Sequence, residues 1–142
     1  MARKPFDSSQ MTGGVELDAS TNALAKSVIG AAIEVHRVLG PGFDESVYEN
    51  ALRLELTHCR IPFISQHVVR VEYRGIMVGE GKADMIVGDK IVVELKAVDA
   101  LAPVHTAQVL AYLKATGHRL GLLMNFNVAV LKDGIKRVIL SQ

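Results

Sequence analysis

A chain of 142 residues has the usual size of one domain and can bury a hydrophobic core without disulfides or structural metals. Its 16 Lys and Arg nearly cancel its 15 Asp and Glu, and the resulting formal charge of +1 argues against a stand-alone, high-affinity polyanion binder. With 49% hydrophobic and 22% charged residues the chain is oilier than a small monomer needs, so part of its surface is expected to be covered in a homo-oligomer.

A single cysteine, Cys59, cannot form an internal disulfide and fits a reducing compartment. The oiliest early stretch, Val28 to Leu39, is broken by Glu34, His36 and Arg37, so neither a signal peptide nor a membrane span is expected. The expected setting is the cytoplasm. Residues 1–20 mix glycine, serine and scattered charge without a period and read as a flexible tail, leaving 21–142 as the folded domain.

From Thr21, the apolar residues Leu24, Val28, Ala31, Ala32, Val35 and Leu39 recur at helical steps until Gly40-Pro41 stops them. Asp44 can cap a second helix to about Cys59, with Val47, Tyr48, Ala51, Leu52, Leu54 and Leu56 as its apolar face. Alternation then predicts three strands: Val69 to Tyr73, Gly81 to Val87 and Ile91 to Ala97, turning at Arg74-Gly75 and at Gly88-Asp89-Lys90. Pro103 opens a third helix that Gly117 closes, and strands Leu120 to Asn125 and Ile135 to Leu140 follow. Helix, helix, three strands, helix and two strands predict an α/β domain with a mixed central sheet flanked by helices.

The third strand carries the chemistry. Glu94 and Lys96 share one face, while Ile91, Val93, Leu95 and Ala97 take the other, which reads as core. A three-residue loop, Gly88 to Lys90, pairs Val87 with Ile91 and sets Asp84 opposite Glu94. That register also gathers Ala83, Met85, Val87, Ile91, Val93 and Leu95 on one apolar face, which a one-residue slip would scatter. Two carboxylates across a ladder stand roughly 5 Å apart at Cβ and repel one another. A divalent cation relieves that repulsion, and Mg²⁺ or Mn²⁺ is the expected cofactor, with Lys96 available to a phosphate or an attacking water. The alternative is that Lys96 and Lys82 merely neutralise the pair.

Asp84 followed by Glu94-Leu95-Lys96 on the next strand, in this order of elements, resembles the PD-(D/E)XK nuclease superfamily. Gly42-Phe43-Asp44-Glu45-Ser46-Val47-Tyr48 resembles the signature of the small bacterial GxxExxY proteins within it. Val35 to Gly42 and Asn125-Phe126-Asn127 carry the same likeness, which spans about Val28 to Leu140. The resemblance implies a restriction-endonuclease-like core. It implies that Asp84 and Glu94 bind metal, that the Leu95 carbonyl completes its coordination, and that Lys96 is the catalytic lysine. The proline of the superfamily's name is absent, since Lys82-Ala83 precede Asp84.

Glu45 and Tyr48 lie three apart on one helical face, and the resemblance makes Glu45 a further metal ligand rather than an ordinary acidic residue at a helix start. Gln108 and Tyr112, four apart on the third helix, resemble the Gln-x-x-x-Tyr of RecB-type nucleases, where the pair would position substrate. His36 and His105 lack a partner at ligand spacing and read as structural, and Cys59 reads as a packing residue. The function implied is divalent-metal-dependent hydrolysis of phosphodiesters, with DNA as the nucleic-acid partner. The alternative is an oligomeric or partner-binding protein that keeps the scaffold without cutting. A basic rim of Lys82, Lys96, Lys114 and Arg119 around Glu94 would favour the nuclease.

Overall fold

A computed structural model describes residues 17–141. The expected tail thus falls, for residues 1–16, outside the described residues. Helix α1 (Ala19–Leu39) starts where Asp18 Oδ1 accepts the Thr21 backbone N–H at 2.7 Å, and it ends at Gly40, whose φ of +69° no longer continues a helix. Its buried residues include Ala25, Val28, Ala32 and Val35, on the stripe expected from helical spacing.

Helix α2 (Glu45–His58) follows Asp44, whose side chain makes no capping bond. Its buried face is narrower than expected. Tyr48, Leu52 and Leu56, at four-residue steps, are buried, whereas Val47 is 36% and Leu54 74% exposed, because they sit off that stripe. Full burial of one such leucine contributes about 1.5–3 kcal/mol. Cys59 is also exposed, a correction to its reading as a packing residue.

Strands β1 (Phe63–Tyr73) and β2 (Ile76–Val87) are longer than alternation predicted and form a hairpin through the Arg74-Gly75 turn. Its outer half is paired only within itself: β2 meets β3 (Ile91–Lys96) over Met85, Ile86 and Val87 alone. The three-residue loop sets Val87 against Ile91, as its parity required. Helix α3 (Pro103–Thr116) then crosses over to β4 (Leu120–Asn125), which lies parallel to β3, and β5 (Ile135–Ile139) returns antiparallel after a single 3-10 turn. The sheet order is β1-β2-β3-β4-β5, one parallel pairing among antiparallel ones, which is the mixed sheet expected.

One face of the sheet packs under α1 and α2, through Met85, Val87, Ile91, Val93 and Leu95. The other packs under α3, through Ile86, Val92, Val109, Leu113 and Leu123. Gly121 brings α3 down onto β4, because any Cβ there would collide with Val109. The face of β3 that carries Glu94 is apolar at Val92 and polar only towards its end. One expectation is corrected here: Ala83 packs under α3, not beside Met85.

The reason lies in β1. Ser65 pairs with Met85 and His67 with Ala83, but Gln66 between them has a φ of +52°, in the left-handed region, and no ladder partner. The hairpin twists there. Phe63 therefore packs under α1 and α2, while Val69, of the same parity, packs under α3.

Candidate active site

The site forms where β2 and β3 part. Their ladder ends at Met85 and Val93, so the next two residues, Asp84 and Glu94, face each other without a bridge. Side chains take over the backbone bonding. Glu94 Oε2 accepts the Asp84 N–H at 2.7 Å, and Asp84 Oδ2 accepts the Leu95 N–H at 2.9 Å. Each carboxylate is thereby held by a donor that the sheet itself fixes, with lone pairs to spare.

Glu94 is 3% exposed, and no cation among the described residues lies within ion-pair distance of it or of Asp84. The ion pairs among those residues are Arg37–Glu34 and His118–Asp89, both elsewhere. Burial, and then the Asp84 charge, push the Glu94 carboxyl up to about 8. Burial likewise raises Asp84, and it raises Glu45 with a further contribution from the Asp84 charge. Such a group is costly as an anion and therefore marks a place where charge is to be met from outside.

Lys96 ends β3, half-buried, with Nζ 3.5 Å from Gln108 Oε1 on α3. It makes no ion pair with either carboxylate, although its charge acts on both and partly offsets their rise. Gln108 thus stands beside Lys96, while Tyr112, one turn on, packs close to Gly81 on β2, where a Cβ would stand 2.9 Å from its ring. Beyond Lys96, the buried Asn125 pins the chain. Its amide donates to Val98 O at 2.9 Å, and its Oδ1 accepts from Val98 N at 3.0 Å and from Asn127 N at 3.2 Å.

The Gly42 to Tyr48 segment does mechanical work. Tyr48 is fully buried, donates to Gly40 O at 2.5 Å, accepts the Phe43 N–H at 3.1 Å, and stacks on Phe126 with ring centroids 4.7 Å apart. His36 Nε2 lies 2.8 Å from Val128 O, and His105 Nδ1 accepts the Ala102 N–H at 2.9 Å, so both histidines are structural as expected. This network sets the start of α2, hence where Glu45 stands.

Two residues at the site escaped sequence reasoning. Glu49, four after Glu45 on the same face of α2, raises Asp84 by its charge, and Gln66 Nε2 donates to Glu49 Oε2 at 2.6 Å. The four-residue spacing could have revealed Glu49. Nothing in the sequence marks Gln66. Among the described residues, Glu45, Asp84 and Glu94 do not close into a three-ligand metal cage, since both strand carboxylates are turned towards backbone N–H groups. The basic rim is also smaller than expected. Arg119 precedes Leu120, which pairs with Ile91 at the far end of β3, and its Nε donates to Leu140 O. Lys114 instead faces Arg70 across a groove of about 660 Å³ between α3 and β1.

Residues 22–138 match the family model of the PD-(D/E)XK nuclease superfamily. The chain belongs to that superfamily. Its nucleases generally use divalent metals and act on nucleic acids, the partner class this membership supports. No curated protein matches the chain by sequence. Among solved structures, the crystal structure of an alkaline exonuclease from Laribacter hongkongensis is similar, with a TM-score of 0.47 and 12% identity over 89% of this chain and 72% of that one. No described helix is long and apolar enough to cross a membrane.

Proposed function

We propose that the chain is a divalent-metal-dependent nuclease of the GxxExxY branch that hydrolyses DNA phosphodiesters in the cytoplasm. The observation that carries this reading is the facing pair of carboxylates, the buried Glu94 and the half-buried Asp84, with no cation among the described residues at ion-pair distance. A structural ion pair would have brought Lys96 or Lys82 onto them. Mg²⁺ or Mn²⁺ fits instead, because a hard cation needs only one or two carboxylates, its remaining positions going to waters and substrate phosphate. Asp84 and Glu94 would hold it, with the Leu95 carbonyl and Glu45 as further oxygen donors.

Such an ion supplies Lewis-acid polarisation of a phosphoryl oxygen. The chain's own residues do the rest. Lys96, not bound up in an ion pair and steadied by Gln108, donates to the charge that develops on phosphate. Gln108 and Tyr112 border the substrate path along α3, and beyond it Arg70 and Lys114, which outnumber the single acid Glu72 in the groove they line, offer the phosphate backbone two cations.

Calorimetric titration of the wild-type protein with Mg²⁺ or Mn²⁺ should show binding that Asp84→Ala abolishes. Indistinguishable titrations of the two proteins would sink the metal site.

The second reading, an oligomer that retains the scaffold without cutting, draws on the tip of the β1–β2 hairpin. Tyr73, Ile76, Met77 and Val78 there are 55–66% exposed. Self-association is expected under either reading, and light scattering at micromolar concentration should return more than one subunit mass. A panel of linear, nicked, branched and single-stranded nucleic acids with Mg²⁺ separates the two, because cleavage of none leaves only the oligomer.

A further inference from the structure

Among the described residues, four that are not glycine have positive φ, and three of them, Arg60, Arg74 and Asp89, sit in turns. The fourth, Gln66, lies within β1, between Ser65 and His67, which pair with Met85 and Ala83 on either side of Asp84. Side chains without a short local hydrogen bond to their own backbone rarely adopt this conformation, so surrounding structure must hold it. What the kink permits is visible. The Gln66 amide reaches α2, donating to Glu49 Oε2 at 2.6 Å, and it stands beside the Asp84 carboxylate on β2, close enough to favour its charged form. Both targets are acids, and an amide nitrogen with two N–H groups can serve two acceptors.

The kink also decides where Asp84 is. Ala83 packs under α3 and Met85 under α1 and α2, so the face swap imposed opposite Gln66 leaves Asp84 at the crossing between the two cores. Without a bridging donor, the acidic edge of α2 would repel the strand carboxylates.

We propose that Gln66 is a positioning residue, whose left-handed kink lets its amide bridge Glu49 and Asp84 and so aims Asp84, together with Glu94, at a divalent cation. This rests on the metal-dependent reading above and adds a residue outside the Asp84, Glu94 and Lys96 set. Gln66 touches no reacting atom. It acts through Asp84, as hydrogen-bonding partners of metal ligands do elsewhere, where their loss weakens metal binding roughly 10–100-fold.

Gln66→Gly separates this role from an ordinary strand irregularity, because glycine accepts a φ of +52° without strain but brings no amide. Gln66→Glu keeps the length and replaces the donor by another acid. The measurements are melting temperature without metal, Mn²⁺ affinity by calorimetry, and cleavage at a Mn²⁺ concentration below the wild-type Kd. Gln66→Gly is expected to melt no lower than wild type yet to bind Mn²⁺ about 10-fold more weakly and to cut correspondingly slower, with Gln66→Glu weaker in both. Wild-type Mn²⁺ affinity in Gln66→Gly overturns the proposal, whatever its melting temperature. A wild-type protein that binds Mn²⁺ without cutting overturns the nuclease reading alone, and the affinity comparison still decides Gln66. A wild-type protein that binds no Mn²⁺ overturns both.

Discussion

Lys96→Ala should lower cleavage by about 100-fold or more, the scale of losing one donor to transition-state charge, while hardly moving the melting temperature. The stability half of this expectation follows from the geometry. Lys96 lies at the last position of β3, only partly buried, and its Nζ contacts Gln108 and neither carboxylate. Removing it breaks no ion pair with Glu94 and leaves Val93 and Leu95 in their core. A lysine serving as counter-ion would behave in the opposite way, with a metal-free protein that melts earlier and any cleavage nearly intact. Rate and melting temperature measured together, with and without Mg²⁺, decide between the two. A stable Lys96→Ala protein that cuts at the wild-type rate refutes the catalytic role.

The second large effect is on stability against pH. Glu94 titrates at about 8 in the folded chain against an ordinary value of 4.5, so between those limits the folded state holds a proton that the unfolded state has lost. Stability falls with rising pH wherever the folded state binds more protons. The contribution of Glu94 is therefore complete below about pH 4.5 and lost as pH climbs through about 8, and the raised Asp84 adds in the same direction. The loss across that range is on the order of a few kcal/mol, because a proton held only by the folded state costs about 1.4 kcal/mol for each tenfold fall in proton concentration.

Glu94→Gln should flatten this slope and raise the metal-free melting temperature at pH 8, since the neutral amide can still accept the Asp84 N–H without a buried charge. The divalent cation should reverse the trend in the wild type, because it binds the deprotonated carboxylates and so stabilises most at high pH. It should do little for Glu94→Gln. A metal-free wild-type melting temperature that stays level from pH 5 to 8 would show that Glu94 is not buried as an acid.

Much of this protein is local, and therefore legible in its amino acids. Helix boundaries at Gly40, Pro103 and Gly117 follow from residues that stop or start helices on their own account. The facing of Asp84 and Glu94 was also within reach, because it depends only on the parity of the Gly88 to Lys90 loop and on keeping Met85, Val87, Ile91 and Val93 together. Parity survives whatever the rest of the fold does.

What only the tertiary structure decided is where strand alternation fails and which distant groups arrive at the site. Ala83 should have followed Met85 by period two, yet the left-handed Gln66 on the neighbouring strand turned the hairpin over, and nothing about a glutamine announces a positive φ. Glu49 reaches Asp84 only because Tyr48, stacked on Phe126, seats α2 over the end of the sheet, and Phe126 is 78 positions further along the chain. Lys96 finds Gln108 rather than a carboxylate because Gly121 lets α3 settle closely on β4. Periodicity reports which face a side chain takes along its own element, whereas contacts across elements depend on packing that no single stretch of sequence contains.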